Sequence, residues 1–281
     1  MSNAKLISGI CLLSFLIILA ITGPAIAKAM FPNENALGIG AYPRYEPPSI
    51  KHPIGTDAGG VDAFALVLNS IWPSMVIGLL AGVTATFLGV IVGFTAGYIG
   101  KNVDTILRTF TDMVLVFPVL PLFLMMGTYI THWDLFKMSM LLGVFGWPFT
   151  ARVIRAQVLS LRERPYIDLV KLSGENTFEI IFFELLPGLL PYVGFSLAMG
   201  TVGAMFTEAG LQLIGLGAQN LSTLGAMIGH GLSRGVIGIG LYGQMVVPAG
   251  ILILLFLSLN LINMGLEEVF NPRLRTKIDV K

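Results

Sequence analysis

Six long apolar runs punctuate the chain: Leu6–Ala27, Ile71–Gly97, Leu107–Ile130, Met138–Ala156, Leu189–Leu211 and Gln244–Leu266. An α-helix needs about 20 mostly apolar residues to cross a bilayer. The pattern therefore predicts six transmembrane helices. Glycines and prolines interrupt several runs, which lipid-embedded helices tolerate when neighbouring helices repair the freed backbone groups. Gly78-x-x-x-Gly82 and Gly89-x-x-x-Gly93 have the spacing that lets two helix backbones approach closely. In a chain with 33 glycines, chance produces such matches as well.

The polar segments between the runs are unequal. Residues 29–70 are long and rich in Pro, Gly and Asn, and Tyr45–Asp57 is polar and turn-prone. Residues 212–242 are also long and glycine-rich. Asp168–Pro187, DLVKLSGENTFEIIFFELLP, carries charge between two apolar runs. Tyr166, Leu169, Val170 and Ser173 recur at helical spacing, as do Phe178, Ile181, Phe182 and Leu185, so each set forms a stripe on a helix. Gly174 lies between the stripes, where a helix can end or bend. Pro165 suits a first helical turn, and Pro187 can end one helix or start the next. Two short amphipathic helices joined at a glycine can project into a groove of a partner or lie flat on lipid. Periodicity leaves both open.

Composition agrees with a lipid-solvated chain. Of 281 residues, 55% are hydrophobic and only 12% charged, where a soluble domain carries about 25%. The mean hydropathy is +0.82. The net charge of +1 matters less than its distribution. With both termini cytoplasmic, the inside segments hold twelve of the 17 Lys and Arg residues and the outside segments five. That asymmetry predicts a multi-pass plasma-membrane protein with Asp168–Pro187 in the cytoplasm. The expected organisation is a first helix over 1–28, an extracellular segment over 29–70, a five-helix core over 71–266 with a cytoplasmic loop at 157–187, and a cytoplasmic tail over 267–281. A secretory signal ending at Ala25-Ile26-Ala27 is the alternative for the first run. The run is long for such a signal, so the mature protein is expected to begin near Met1. The single cysteine, Cys11, excludes an intrachain disulfide, and no basic run points to nucleic acid.

Four stretches carry a family resemblance: HPIGTDAGGVD (His52–Asp62), RVIRAQVLSLRERPYIDLVKLSG (Arg152–Gly174), TEAGLQLIGLG (Thr207–Gly217) and NPRLR (Asn271–Arg275). In this order they resemble the second permease subunit of dipeptide, oligopeptide and nickel ABC importers. The resemblance implies an all-α integral membrane protein of the type I ABC importer permease fold, with six transmembrane helices and a cytoplasmic coupling projection. It also implies a homologous second permease, two ATPase subunits that bind ATP and Mg, and an extracellular solute-binding protein. Tyr166, Asp168, Leu169, Val170, Gly174, Phe178 and Pro187 would contact the ATPase. The chain departs from the pattern in places. The family's Glu-Ala-Ala is Asp168-Leu169-Val170, which keeps the carboxylate but is bulkier. Val61 stands where the outer segment usually has Arg. Ser222-Thr223-Leu224-Gly225 replaces a Pro-Ser-Trp-Gly, a departure that leans toward members associated with oligosaccharides.

The chain has no Walker A motif, so ATP has no phosphate cradle here. Gly238–Gly243 matches Gly-x-Gly-x-x-Gly but follows no strand pattern and runs into a span. His52, His132 and His230 lie in three different outer segments and are expected to be separately solvated, with no metal and no catalytic constellation. Asp112 and Glu208 fall near membrane depth, where carboxylates face a cavity or a partner. Arg108, one turn before Asp112, is its expected ion-pair partner. Thr84, Thr86, Ser196, Glu208, Asn260 and Asn263 could line a pathway or bond neighbouring helices. The rival class is a secondary transporter or channel working without ATPases, which favours inverted repeats. The chain shows no internal repeat.

Overall fold

The computed structural model describes residues 4–31, 35–129, 133–165, 183, 185–215 and 221–270. The described residues form helices with a single isolated β-bridge, Thr56 to Asp62. The helices are α1 (Ala4–Met30), α2 (Ala63–Ile99), α3 (Lys101–Val116), α4 (Val119–Tyr129), α5 (Leu135–Arg162), α6 (Leu186–Leu213), α7 (Leu224–Ser233) and α8 (Gly243–Phe270). Four of them, α1, α2, α6 and α8, are long and apolar enough to cross a bilayer.

The remaining two expected spans are the polar-tailed α5 and a broken one. The run expected to form one helix over 107–130 is split into α3 and α4. Phe117 between them is extended, at φ −67° and ψ 130°. Pro118 explains the break: it has no N–H for the helix ladder and pushes the residue before it out of the α region.

Local chemistry sets the other boundaries. α2 begins at Ala63, eight residues before the apolar run expected at Ile71. The Asp62 carboxylate accepts the Ala65 N–H at 2.7 Å and caps the helix. Asp134 caps α5 in the same way through the Lys137 N–H at 2.8 Å. Pro187 lies in the first turn of α6, so it starts that helix.

α2 is the centre of the bundle, and its glycines permit the packing. A Cβ on Gly82 would meet Thr201 of α6 at 2.3 Å, and one on Gly93 would meet the Ala151 carbonyl oxygen of α5 at 2.4 Å. Gly78 likewise faces α6 and Gly89 faces α5. The two small-residue spacings thus serve two different partners, one above the other. The α1–α8 pair uses Gly9 against Ile262 and Gly265 against Leu6, with Lys5 ion-paired to Glu268 beside them. The two described chain ends therefore meet at one end of the bundle. The opposite end carries the 35–62 segment and α7. Outside the bundle, Phe15, Ile21, Phe87 and Ile253 are exposed, as a surface solvated by lipid tails requires.

Candidate translocation and coupling site

The end that holds Lys5 and Glu268 also holds the platform of the 157–187 segment. Ile154, Val158 and Leu161 of α5 and Leu185 and Leu189 at the start of α6 are buried together. Val90, Phe94 and Tyr98 of α2 pack against them. Gly97 lets Val158 sit against α2, since a Cβ there would lie 2.8 Å from Val158 Cβ. The Arg162 guanidinium donates to the carbonyl oxygens of Gly97 and Tyr98, both at 3.1 Å. These are carbonyls that the end of α2 leaves without helical partners. The chain thus leaves α5 and returns to α6 from one rigid base. Pro187 is exposed in the first turn of α6, between the buried Leu185 and Leu189. Tyr166, Asp168, Leu169, Val170, Gly174 and Phe178 lie outside the described residues.

Beside the platform, α3 is tied to α5 by charge. Arg155 donates through Nε and Nη2 to the two oxygens of Asp104, a bidentate fork. Arg152 donates to Asp112 Oδ1 at 2.6 Å. The expected Arg108 partner is farther, at 3.8 Å from Asp112 Oδ2. The cause is tertiary: α5 crosses close enough for Arg152 to reach the carboxylate, and an i,i+4 neighbour on the same helix is outcompeted.

The six candidate pathway residues lie on α2, α6 and α8. Thr84 Oγ1 donates to the Leu80 carbonyl and lies 3.9 Å from Met140 Sδ, inside the α2–α5 contact. Thr86 on α2 and Ser196 on α6 are buried, and their hydroxyls have no hydrogen-bond partner among the described residues. Asn260 and Asn263 lie on α8, Asn263 buried. Glu208, 3% exposed, accepts from Thr223 Oγ1 at 2.7 Å and from Gln212 Nε2 at 3.0 Å. Thr223 in turn caps α7 through the Ala226 N–H, and Ser74 of α2 accepts the Leu224 N–H at 2.8 Å. Glu208 is therefore part of the mount that holds α7 onto α2 and α6. A different, largely apolar groove of about 610 Å³ runs between α2, α4, α5 and α6, lined by Phe123, Phe145, Met199, Gly203 and Thr207 among others.

The 35–62 segment forms a clasp. His52 is buried, not solvated as the sequence suggested. Its Nδ1 is 2.7 Å from Asp62 Oδ2 and its Nε2 is 3.5 Å from Glu46. The Phe31 ring stacks on the imidazole and the Tyr42 ring meets it edge-on. Gln244 at the start of α8 donates to the Thr56 carbonyl at 2.8 Å, and Arg234 reaches Asp57 at 3.4 Å. HPIGTDAGGVD therefore docks the 35–62 segment onto α2, α7 and α8. Val61 is buried within it. His230 near Arg234 is held below the ordinary imidazole range, first by desolvation and then by the Arg234 charge. His132 lies outside the described residues. Among the described residues no group of three His, Cys, Asp or Glu side chains could hold a metal.

Sequence reasoning missed Arg162, Ser74 and Gln244, whose partners are 64 or more positions away in the chain. Asp62 could have been found, because a capping residue directly before an apolar run marks a helix start.

Known proteins resemble the chain along most of its length. Residues 85–276 match the family "Binding-protein-dependent transport system inner membrane component". The dipeptide transport system permease protein DppC of Bacillus subtilis is 29% identical over 283 residues, covering 97% of this chain and 83% of that protein. The oligopeptide transport system permease protein OppC of Mycobacterium bovis is 30% identical over 233 residues, covering 82% and 79%. Among solved structures, an inward-facing form of the MetNI methionine ABC transporter matches with a TM-score of 0.57 at 19% identity. That match covers 74% of this chain and 95% of the other, and shows a shared fold.

Proposed function

Because this chain belongs to the family of binding-protein-dependent transport system inner membrane components, we propose that it forms half of an oligopeptide translocation pathway and takes up the stroke of separate ATPase subunits through residues 157–187. The family match carries the reading, since it spans α5, α6 and the segment between them. The dipeptide and oligopeptide permeases among its relatives favour peptides over oligosaccharides as solute.

In this reading the platform end is cytoplasmic, as are both termini, and the clasp end faces the extracellular binding protein. A homologous second permease supplies the other half of the pathway. Two ATPase subunits hold ATP and Mg and close on the segment containing Tyr166, Asp168 and Gly174. The buried base around Val158, Leu161 and Leu189 passes that displacement to α2, α5 and α6 as one body, because close-packed interiors transmit strain. The pathway then alternates between inward-open and outward-open. Family membership counts against the ATPase-independent transporter.

The test is assembly and uptake with Gly174→Leu and Asp168→Lys. Both variants are expected to insert normally, to lose co-purifying ATPase subunits, and to lose peptide uptake in vesicles. Facing a like charge at a buried contact costs several kcal/mol, more than tenfold in assembly. Normal assembly and uptake in both variants removes the coupling assignment.

A further inference from the structure

A second cavity, of about 340 Å³, opens between α2, α3 and α5. Its charged lining is Arg108, Asp112, Arg152 and Arg155. Its floor is small, formed by Gly93 and Ala96 of α2 and Ala151 of α5. Among the described residues the charges do not balance. Asp104 is matched by both arms of Arg155, and Asp112 by Arg152. Arg108 is left with one weak contact at 3.8 Å and is 65% exposed. Arg162, within electrostatic reach of Asp104, places its guanidinium on neutral carbonyls and adds a second unmatched positive charge.

The outside of the bundle near the cavity is apolar. Ile91 and Ile99 on α2, and Ile106 and Phe110 on α3, are all about half exposed or more. They lie within one or two turns of the cavity-lining residues on the same helices. A ligand that satisfies both features has a compact anionic head and apolar tails. Surplus guanidinium at the end of a bundle, beside tail-compatible surface, is the chemistry that holds lipid phosphates.

We propose that this cavity binds the phosphate of an anionic phospholipid drawn from the cytoplasmic leaflet, with the loosely paired Arg108 as the principal cation and Arg152 beside it. The site rests on the proposed cytoplasmic placement of the platform end. Lipid seated there would bridge α3 to α5 next to the Asp104–Arg155 fork and stiffen the platform.

The experiment is native mass spectrometry of the full-length chain in zwitterionic detergent. The probes are phosphatidylglycerol, phosphatidylcholine with the same acyl chains, and inorganic phosphate. Phosphatidylglycerol is expected to be retained in preference to the other two. Arg108→Gln should weaken its retention roughly fivefold, the effect of one basic residue at an anionic surface. Arg108→Lys, which keeps the charge, should retain most of it. Arg234→Gln, at the opposite end of the bundle, should leave it unchanged. Arg108 is exposed and loosely paired, so the substitution leaves the fold intact, and an unchanged melting temperature verifies this.

Equal retention of the two lipids overturns the site. So does equal weakening by Arg108→Gln and Arg234→Gln. Inorganic phosphate binding as tightly as phosphatidylglycerol overturns the lipid source. None of these readouts uses ATP or solute, so a failure of the transport reading leaves them unaffected and is seen separately.

Discussion

Gly93→Ala isolates the close approach of α2 to α5. In a helix interior this substitution gains about 1 kcal/mol of intrinsic propensity, so any loss of stability must come from the added methyl. That methyl would sit 2.4 Å from the Ala151 carbonyl oxygen and 3.1 Å from Ala151 Cα and C. All three are backbone atoms in mid-helix, and no rotamer change relieves them. The two helices must part by nearly 1 Å, through an interface that also contains Gly89 against Thr150 and Gly97 against Val158. Overpacking of this kind costs about 1–3 kcal/mol. Set against the propensity gain, this leaves a net loss of about 1 kcal/mol, which lowers the folded-to-unfolded ratio about fivefold. Gly203→Ala is the internal control, because a Cβ there meets nothing within 4 Å. It should be neutral or slightly stabilising. The assay is reversible denaturant unfolding of both variants in the same detergent, with ATP-driven uptake measured in parallel. Gly93→Ala should lower the midpoint, and uptake should fall with it because the Arg162 contacts to Gly97 and Tyr98 depend on the same seam. Equal midpoints for the two variants would refute the packing argument.

Glu208→Ala should destabilise the clasp end by about 1–3 kcal/mol, since it leaves the buried Thr223 hydroxyl and Gln212 amide unpaired. Faster hydrogen exchange confined to α7 and its flanks is the measurement, and exchange unchanged from wild type counts against the mount. Reporter fusions after Ser222 and after Lys281 should report opposite sides of the membrane, and a shared side overturns the orientation.

The order of apolar runs was enough to predict an all-helical membrane chain, because the solvent for each run is lipid and every backbone group must be satisfied within its own helix. The polar segment with Gly174 and the motif series HPIGTDAGGVD to NPRLR pointed to the permease family for the same local reason: spacing within one segment is visible without a fold. The break at Pro118 was local too, though the apolar run concealed it. Tertiary structure alone decided who meets whom. It directed Gly78 and Gly82 to α6 but Gly89 and Gly93 to α5, a division that identical four-residue spacings do not encode. It gave Asp112 to Arg152 over Arg108, because α5 crosses within reach. It buried His52 between Asp62 and Glu46, and set Glu208 under α7. Each of these pairs is joined by helix crossing and by the desolvation that follows, and neither leaves a periodic trace in a single chain.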